Sequence, residues 1–109
     1  MLKKFNRNLA FDKVSINDLI LFSAYSILRN NEICTFDRLL KECFTLFPEP
    51  FGFSRYPIWP DSRKLDRPLR ALRSEGLVKG DPKIEFFITP EGKDKAQEVG
   101  KILRQGKLL

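Results

Sequence analysis

The segment from residue 61 to residue 75 carries basic side chains at a spacing that would place them on one face of a helix. They include Arg63, Lys64, Arg67 and Arg70. At about 100° per residue, the three arginines cluster on the side opposite a leucine stripe, Leu65, Leu69 and Leu72. Arginine can grip a phosphate or a guanine edge through two hydrogen bonds, whereas lysine acts more as a point charge. This face has the chemistry to bind nucleic acid, although any amphipathic surface helix also exposes charged residues to solvent.

The positive charge of the chain is concentrated around that segment. The 109 residues include 20 Lys and Arg and 14 Asp and Glu, which gives a net charge of +6 and a pI near 9.6. Residues 54–83 hold eight basic and four acidic residues, whereas residues 14–53 hold three basic and five acidic ones. A basic balance of this kind favours a polyanionic partner without determining the fold.

The composition argues against catalysis and against a metal site. The chain has no histidine, so a serine nucleophile would lack its usual base, and there is no glycine-rich phosphate loop. Cys34 and Cys43 do not have the spacing of a zinc site. We interpret them as buried thiols, with a disulfide between them left open. We therefore expect no enzyme activity, no cofactor and no metal.

The chain has no recognisable secretory signal and no segment suited to crossing a membrane. The longest apolar stretch, residues 19–28, is interrupted by Ser23 and Ser26 and is too short to span a bilayer. We therefore expect a cytoplasmic protein without a membrane partner.

The hydrophobic pattern predicts four helices and a hairpin behind an N-terminal arm, residues 1–14. The predicted helices cover residues 16–29, 36–47, 62–75 and a stretch that begins at Pro90. Strands are predicted at residues 77–79 and 84–88, joined by the turn Gly80-Asp81-Pro82-Lys83, and Ile33-Cys34 is a candidate for a third, very short strand. The expected helix caps are Ser15, Thr35, Asp61 and Thr89. Residues 15–109 are thus predicted to form a single domain, mainly α with a small β hairpin.

Pro68 leaves the start of the third helix open. A proline within a regular helix removes a hydrogen bond and clashes with the carbonyl at position 64, at a cost of about 3 kcal/mol. One interpretation is a long helix that kinks at Pro68, which we favour because Asp61 precedes the leucine stripe. The other is a late start with Asp66 as the cap, which would move Arg63 and Lys64 into the preceding loop.

Residues 48–60 form an unusually long loop that is rich in proline and aromatic residues. Loops of this length are usually functional or disordered, and the aromatic residues argue against disorder. We expect four apolar side chains to fold back over the core: Phe51, Phe53, Ile58 and Trp59. The alternatives are that Tyr56 or Trp59 stacks on single-stranded bases, or that the loop binds another protein.

The order of three helices, a hairpin and a further helix resembles the winged helix-turn-helix superfamily, over roughly residues 15–104. The residues that carry the resemblance are Leu65, Leu69, Leu72, Gly76, Leu77 and Val78, followed by Ile88-Thr89-Pro90-Glu91-Gly92. The last five look like the strand-to-helix junction of MarR- and PadR-like transcription regulators. The resemblance implies a winged helix with a three-helix core, a two- to three-stranded wing and a C-terminal helix. The loop 48–60 departs from this pattern, because a helix-turn-helix has about three or four residues there.

The resemblance also implies a function, namely binding of double-stranded DNA by a small transcriptional regulator or a DNA-associated accessory factor. The expected base-facing residues are Ser62, Arg63, Lys64 and Arg67. The expected phosphate-binding residues are Arg70, Lys79 and Lys83, and the long loop would bring Arg55 and Tyr56 to the DNA. The alternative is a winged-helix protein–protein docking module of a larger assembly that binds through loop 48–60.

Regulators of the superfamily that this chain resembles form homodimers through their terminal helices. Here the apolar face of residues 90–104 and the end Lys107-Leu108-Leu109 are suited to form such a seam, or that face covers the core of its own chain.

Overall fold

The computed structural model of the protein describes residues 14–81 and 83–108. The predicted N-terminal arm, apart from Val14, lies outside this part of the chain, as do Pro82 of the predicted turn and Leu109. The described residues form five α-helices and one hairpin: α1 (Ile16–Arg29), α2 (Phe36–Leu46), α3 (Pro48–Phe51), α4 (Asp66–Ser74), β1 (Val78–Asp81), β2 (Glu85–Ile88) and α5 (Pro90–Leu108). A short 3₁₀ turn, Ser62–Leu65, leads directly into α4.

All four predicted caps are confirmed. The Ser15 and Thr35 hydroxyls accept hydrogen bonds from the backbone N–H groups three residues further on, each at 3.2 Å. The Asp61 carboxylate accepts from the backbone N–H of Arg63 at 3.1 Å, and the Thr89 hydroxyl accepts from that of Gly92 at 3.0 Å. Each cap satisfies an N–H group that the first turn of its helix leaves without a partner.

Helix α1 lies at the centre of the core and packs against α2, α4 and α5. Its inward face is apolar, with Ile20, Leu21 and Ile27 fully buried. Cys34 and Cys43 are buried free thiols, so the interpretation as core cysteines is confirmed and no disulfide joins them. Burial raises the pKa of both thiols to about 12.

The hairpin is antiparallel, with Val78 opposite Ile88 and Asp81 opposite Glu85. Phe86 points into the core and is fully buried, and its N–H donates to the Cys34 carbonyl at 2.7 Å. The predicted short strand at Ile33-Cys34 is therefore present as a single antiparallel bridge beside β2. The strand β1 runs two residues further than expected, because Gly80 and Asp81 pair with β2.

Helix α5 closes the core from the side of α1. Its apolar face, consisting of Ala96, Val99 and Leu103, is buried within the chain. These three side chains therefore cover the core of their own chain, whereas Ile102 on the same helix is exposed. The predicted seam also included Lys107, Leu108 and Leu109, whose side chains lie outside the described part of the molecule.

The described residues are mainly helical with a small antiparallel hairpin, in agreement with the predicted fold class. Within this part of the chain, no helix combines the length and the apolar character needed to cross a membrane.

Candidate nucleic-acid interface

The start of α4 explains how the chain accommodates Pro68. The Asp61 cap is where the sequence predicts it, but the first turn after it is 3₁₀, and the N–H of Asp66 donates to the Arg63 carbonyl. The regular α-helix begins at Asp66, so Pro68 lies in its first turn, where a missing N–H costs little. The favoured long α-helix over residues 62–75 is therefore wrong. Arg63 and Lys64 lie in a helical turn and not in an open loop.

Three arginines of α4 point to solvent at a spacing of three residues: Arg67, Arg70 and Arg73. The opposite side of the helix is anchored by Leu69 and Leu72, which are buried as predicted. Among the described residues, none of these arginines forms an ion pair with an acidic side chain. Sequence reasoning overlooked Arg73, although it continues the same three-residue spacing.

Two shallow grooves run along this arginine row and share Arg70. One groove lies between α4 and β1 and is lined by Arg70, Arg73, Ser74, Val78, Lys79 and Gly80. The other lies along the start of α4 and is lined by Ile16, Pro50, Arg63, Lys64, Asp66, Arg67, Pro68 and Arg70, so it includes one acidic side chain. Five cations thus line these adjoining grooves across the 3₁₀ turn, α4 and β1, and we call this surface the basic face: Arg63, Arg67, Arg70, Arg73 and Lys79.

Arg63 belongs to the basic face but already has an anionic partner. Its Nε lies 3.1 Å from Asp61 Oδ1 and its Nη2 lies 3.2 Å from Asp61 Oδ2. This pairing raises the pKa of Arg63 and lowers that of Asp61. The Arg63 side chain is nevertheless 77% exposed, so it can still reach a phosphate if it shares or leaves the Asp61 carboxylate.

Lys64 lines the groove at the start of α4, but its ammonium group already has a partner within the chain. Its Nζ donates a hydrogen bond to the carbonyl of Gly52 at 2.8 Å, and the side chain is half-buried. A role of Lys64 at the bases would compete with this hydrogen bond, and the role stays a prediction. The contact ties the preceding loop to the start of α4. Ser62, by contrast, is exposed.

The hairpin presents its two lysines differently. Lys79 is exposed and borders the groove between α4 and β1. Lys83 is exposed at the tip of the hairpin and lines neither groove of the basic face. Its backbone N–H donates to the Asp81 carboxylate at 2.8 Å, which fixes the turn.

The long segment 48–60 is more ordered than a loop, and its aromatic residues divide into two groups. Its first part is helix α3, and Phe51 is fully buried as expected, with Phe53 half-buried. Ile58 and Trp59 are 75% and 56% exposed, so the expectation that they fold back over the core is wrong. The reason is that Gly52 pairs with Pro60 and the Phe53 N–H donates to the Trp59 carbonyl at 2.9 Å. These contacts close the chain at its base and project the residues between them outward.

The projecting residues 53–59 are called the aromatic loop from here on. Arg55 and Tyr56 are exposed there, and the Tyr56 ring stacks on that of Trp59 with centroids 5.5 Å apart and planes 27° apart. At its base, the Arg63 guanidinium lies over the Phe53 ring, 5.6 Å from the centroid. The loop and the basic face therefore meet at Arg63, a relation that the sequence does not reveal.

No protein-family model matches this chain, and no curated protein or solved structure is significantly similar to it.

Proposed function

We propose that this chain is a winged-helix protein that binds double-stranded DNA, as a small transcriptional regulator or a DNA-associated accessory factor. The observation that carries the proposal is the basic face. It joins four arginines around α4 to a lysine of β1. Polyanion binding is the chemistry that such a surface serves best, because each phosphate contact releases condensed counterions from the duplex.

The order of the elements supports the winged-helix assignment. The single bridge at Cys34 falls between α1 and α2, where a third wing strand is expected, and α4 is followed directly by the hairpin. In this arrangement α4 enters the major groove, which admits an α-helix, and the hairpin lies along the backbone.

The exposure and pairing of the side chains refine their expected roles. Arg67 and Ser62 lie exposed at the start of the helical segment and are the residues proposed to reach base edges. Arg70, Arg73 and Lys79 border one groove and are proposed to bind phosphates. Lys64 is assigned a structural role through Gly52.

The test is fluorescence anisotropy with a labelled duplex of about 30 base pairs, roughly three helical turns, across a series of salt concentrations. Duplex binding that weakens steeply with salt is expected, and Arg67→Glu is expected to abolish it without unfolding the domain. Lys101→Glu makes the same charge change on α5, outside the basic face, and is expected to retain binding. Unchanged binding by Arg67→Glu would remove α4 from the interface.

A protein-docking module is the second candidate, and the exposed aromatic loop favours it. Tyr56, Ile58 and Trp59 together resemble the apolar anchors found at protein interfaces. Salt separates the two candidates, since an apolar interface does not weaken as salt rises.

A further inference from the structure

The aromatic loop exposes apolar side chains that the proposed contact between the basic face and a duplex does not use. Tyr56, Ile58 and Trp59 are 59%, 75% and 56% exposed and lie within four consecutive residues. Contiguous exposed apolar surface of this kind marks a binding site more often than a bare solvent surface.

The base of the loop is fixed from several directions. The Asp61 N–H donates to the Phe51 carbonyl at 2.7 Å, and the Trp59 N–H donates to the Tyr56 carbonyl at 3.0 Å. Lys64 Nζ holds the Gly52 carbonyl from the side of α4. A loop ordered in advance loses little conformational entropy when it binds.

The charge of the loop indicates the chemistry of its partner. Residues 53–60 contain one charged residue, Arg55, and no acidic residue. The nearest acid in sequence, Asp61, is buried and paired with Arg63. An aromatic surface bordered by arginines complements a nucleic-acid strand, whose bases offer flat apolar faces and whose phosphates are anionic.

We propose that the aromatic loop stacks on an unpaired base beside the duplex bound by the basic face. The preferred ligand of the chain is then DNA in which a single-stranded segment adjoins a duplex. The stacked Tyr56–Trp59 pair supplies the platform, and Arg63, at the junction of loop and basic face, lies where the strand passes from one to the other. This inference rests on the proposed DNA-binding function and specifies its ligand.

Trp59 is the only tryptophan of the chain, so its fluorescence reports on the loop alone. The full chain is titrated with a labelled blunt duplex, with the same duplex bearing a single-stranded overhang, and with the overhang strand alone. Label anisotropy and Trp59 emission are followed together. We expect the overhang duplex to bind about tenfold more tightly than the blunt one and to quench Trp59, as base–aromatic stacking does.

Tyr56→Ala and Trp59→Ala are each expected to remove this preference. Trp59→Ala is expected to leave affinity for the blunt duplex within about twofold, since stacking on an unpaired base is sequence-tolerant but absent from a blunt duplex. Ile33→Ala truncates another exposed apolar residue and serves as the control that keeps the preference. Because the wild-type fluorescence signal needs no variant, the test holds even if one substitution impairs folding.

Two results overturn the inference and are distinguishable from each other. Equal affinity for blunt and overhang DNA with unchanged Trp59 emission overturns stacking but keeps duplex binding. The partner of the loop would then be an apolar protein surface. Failure to bind any of the three DNAs at low salt overturns both the stacking and the proposed function.

Discussion

The basic face allows the salt dependence of duplex binding to be predicted as a count of contacts. It contains five cations, Arg63, Arg67, Arg70, Arg73 and Lys79, drawn from two adjoining grooves. If each neutralises one phosphate, the logarithm of the binding constant falls with the logarithm of the salt concentration with a slope of about −4.5. Between about 50 and 200 mM salt the affinity is then expected to fall by about 500-fold.

Single substitutions are expected to change this slope by a known step. Arg73→Ala removes one contact and is expected to reduce the slope to about −3.6, and Arg70→Ala with Arg73→Ala to about −2.7. Neither side chain forms an ion pair among the described residues, so these truncations do not deprive an acidic side chain of its partner. Lys101→Ala on α5 is the matched control and is expected to keep the full slope.

The assay is the salt series of anisotropy titrations, with urea unfolding of each variant to show that the fold is retained. A full slope in the Arg70→Ala and Arg73→Ala double variant would show that phosphates are bound elsewhere. The assignment of α4 and β1 as one interface would then be refuted, even if the chain binds DNA.

Four further predictions follow from individual contacts. Asp61→Asn keeps an oxygen that can accept from the Arg63 N–H but releases the guanidinium from its anionic partner, so duplex binding is expected to tighten in the same titrations; weaker binding would contradict this. Gly92→Ala places a methyl group against the Leu77 carbonyl and is expected to cost about 1–3 kcal/mol in urea unfolding, whereas Gly76→Asn, at φ 74° in open space, is expected to cost much less. Arg38 holds the pKa of Glu32 below its usual value, so the ionised carboxylate stabilises the fold above the unfolded-state pKa, and this stability is lost as pH falls. The unfolding free energy of the wild type is therefore expected to decline below about pH 4.5, and that of Glu32→Gln to decline less. Cys34 and Cys43, with pKa values near 12, are expected to resist a thiol reagent at neutral pH in the folded protein and to react once it is unfolded, and rapid reaction of the folded chain would show that one of them is accessible.

The features that the sequence predicts well depend on residues close together in the chain. The caps Ser15, Thr35, Asp61 and Thr89 each act within three residues, so their types and positions are enough to locate them. The leucine stripe of α4 and the apolar face of α5 likewise follow from helical periodicity.

The features that the sequence does not predict depend on contacts between distant residues. Lys64 counts as a free cation until the fold brings the Gly52 carbonyl within 2.8 Å of its Nζ. Ile58 and Trp59 have core-like side chains, but the pairing of Gly52 with Pro60 turns them outward. At Pro68, the leucine stripe favours one helix start and the proline another, and the intervening 3₁₀ turn satisfies both signals in a way that neither predicts alone.

The Thr89 side chain joins three parts of the molecule. Its hydroxyl donates to the Gly76 carbonyl at 2.6 Å, just after α4, and accepts from Gly92 at the start of α5, while its backbone N–H donates to Leu77 before β1. These hydrogen bonds tie the end of α4 and the start of α5 to the beginning of the hairpin, and so help to fix the arginines of the helix relative to Lys79. If the basic face binds a polyanion, this junction would favour ligands whose negative charges match the separation between the α4 arginines and Lys79.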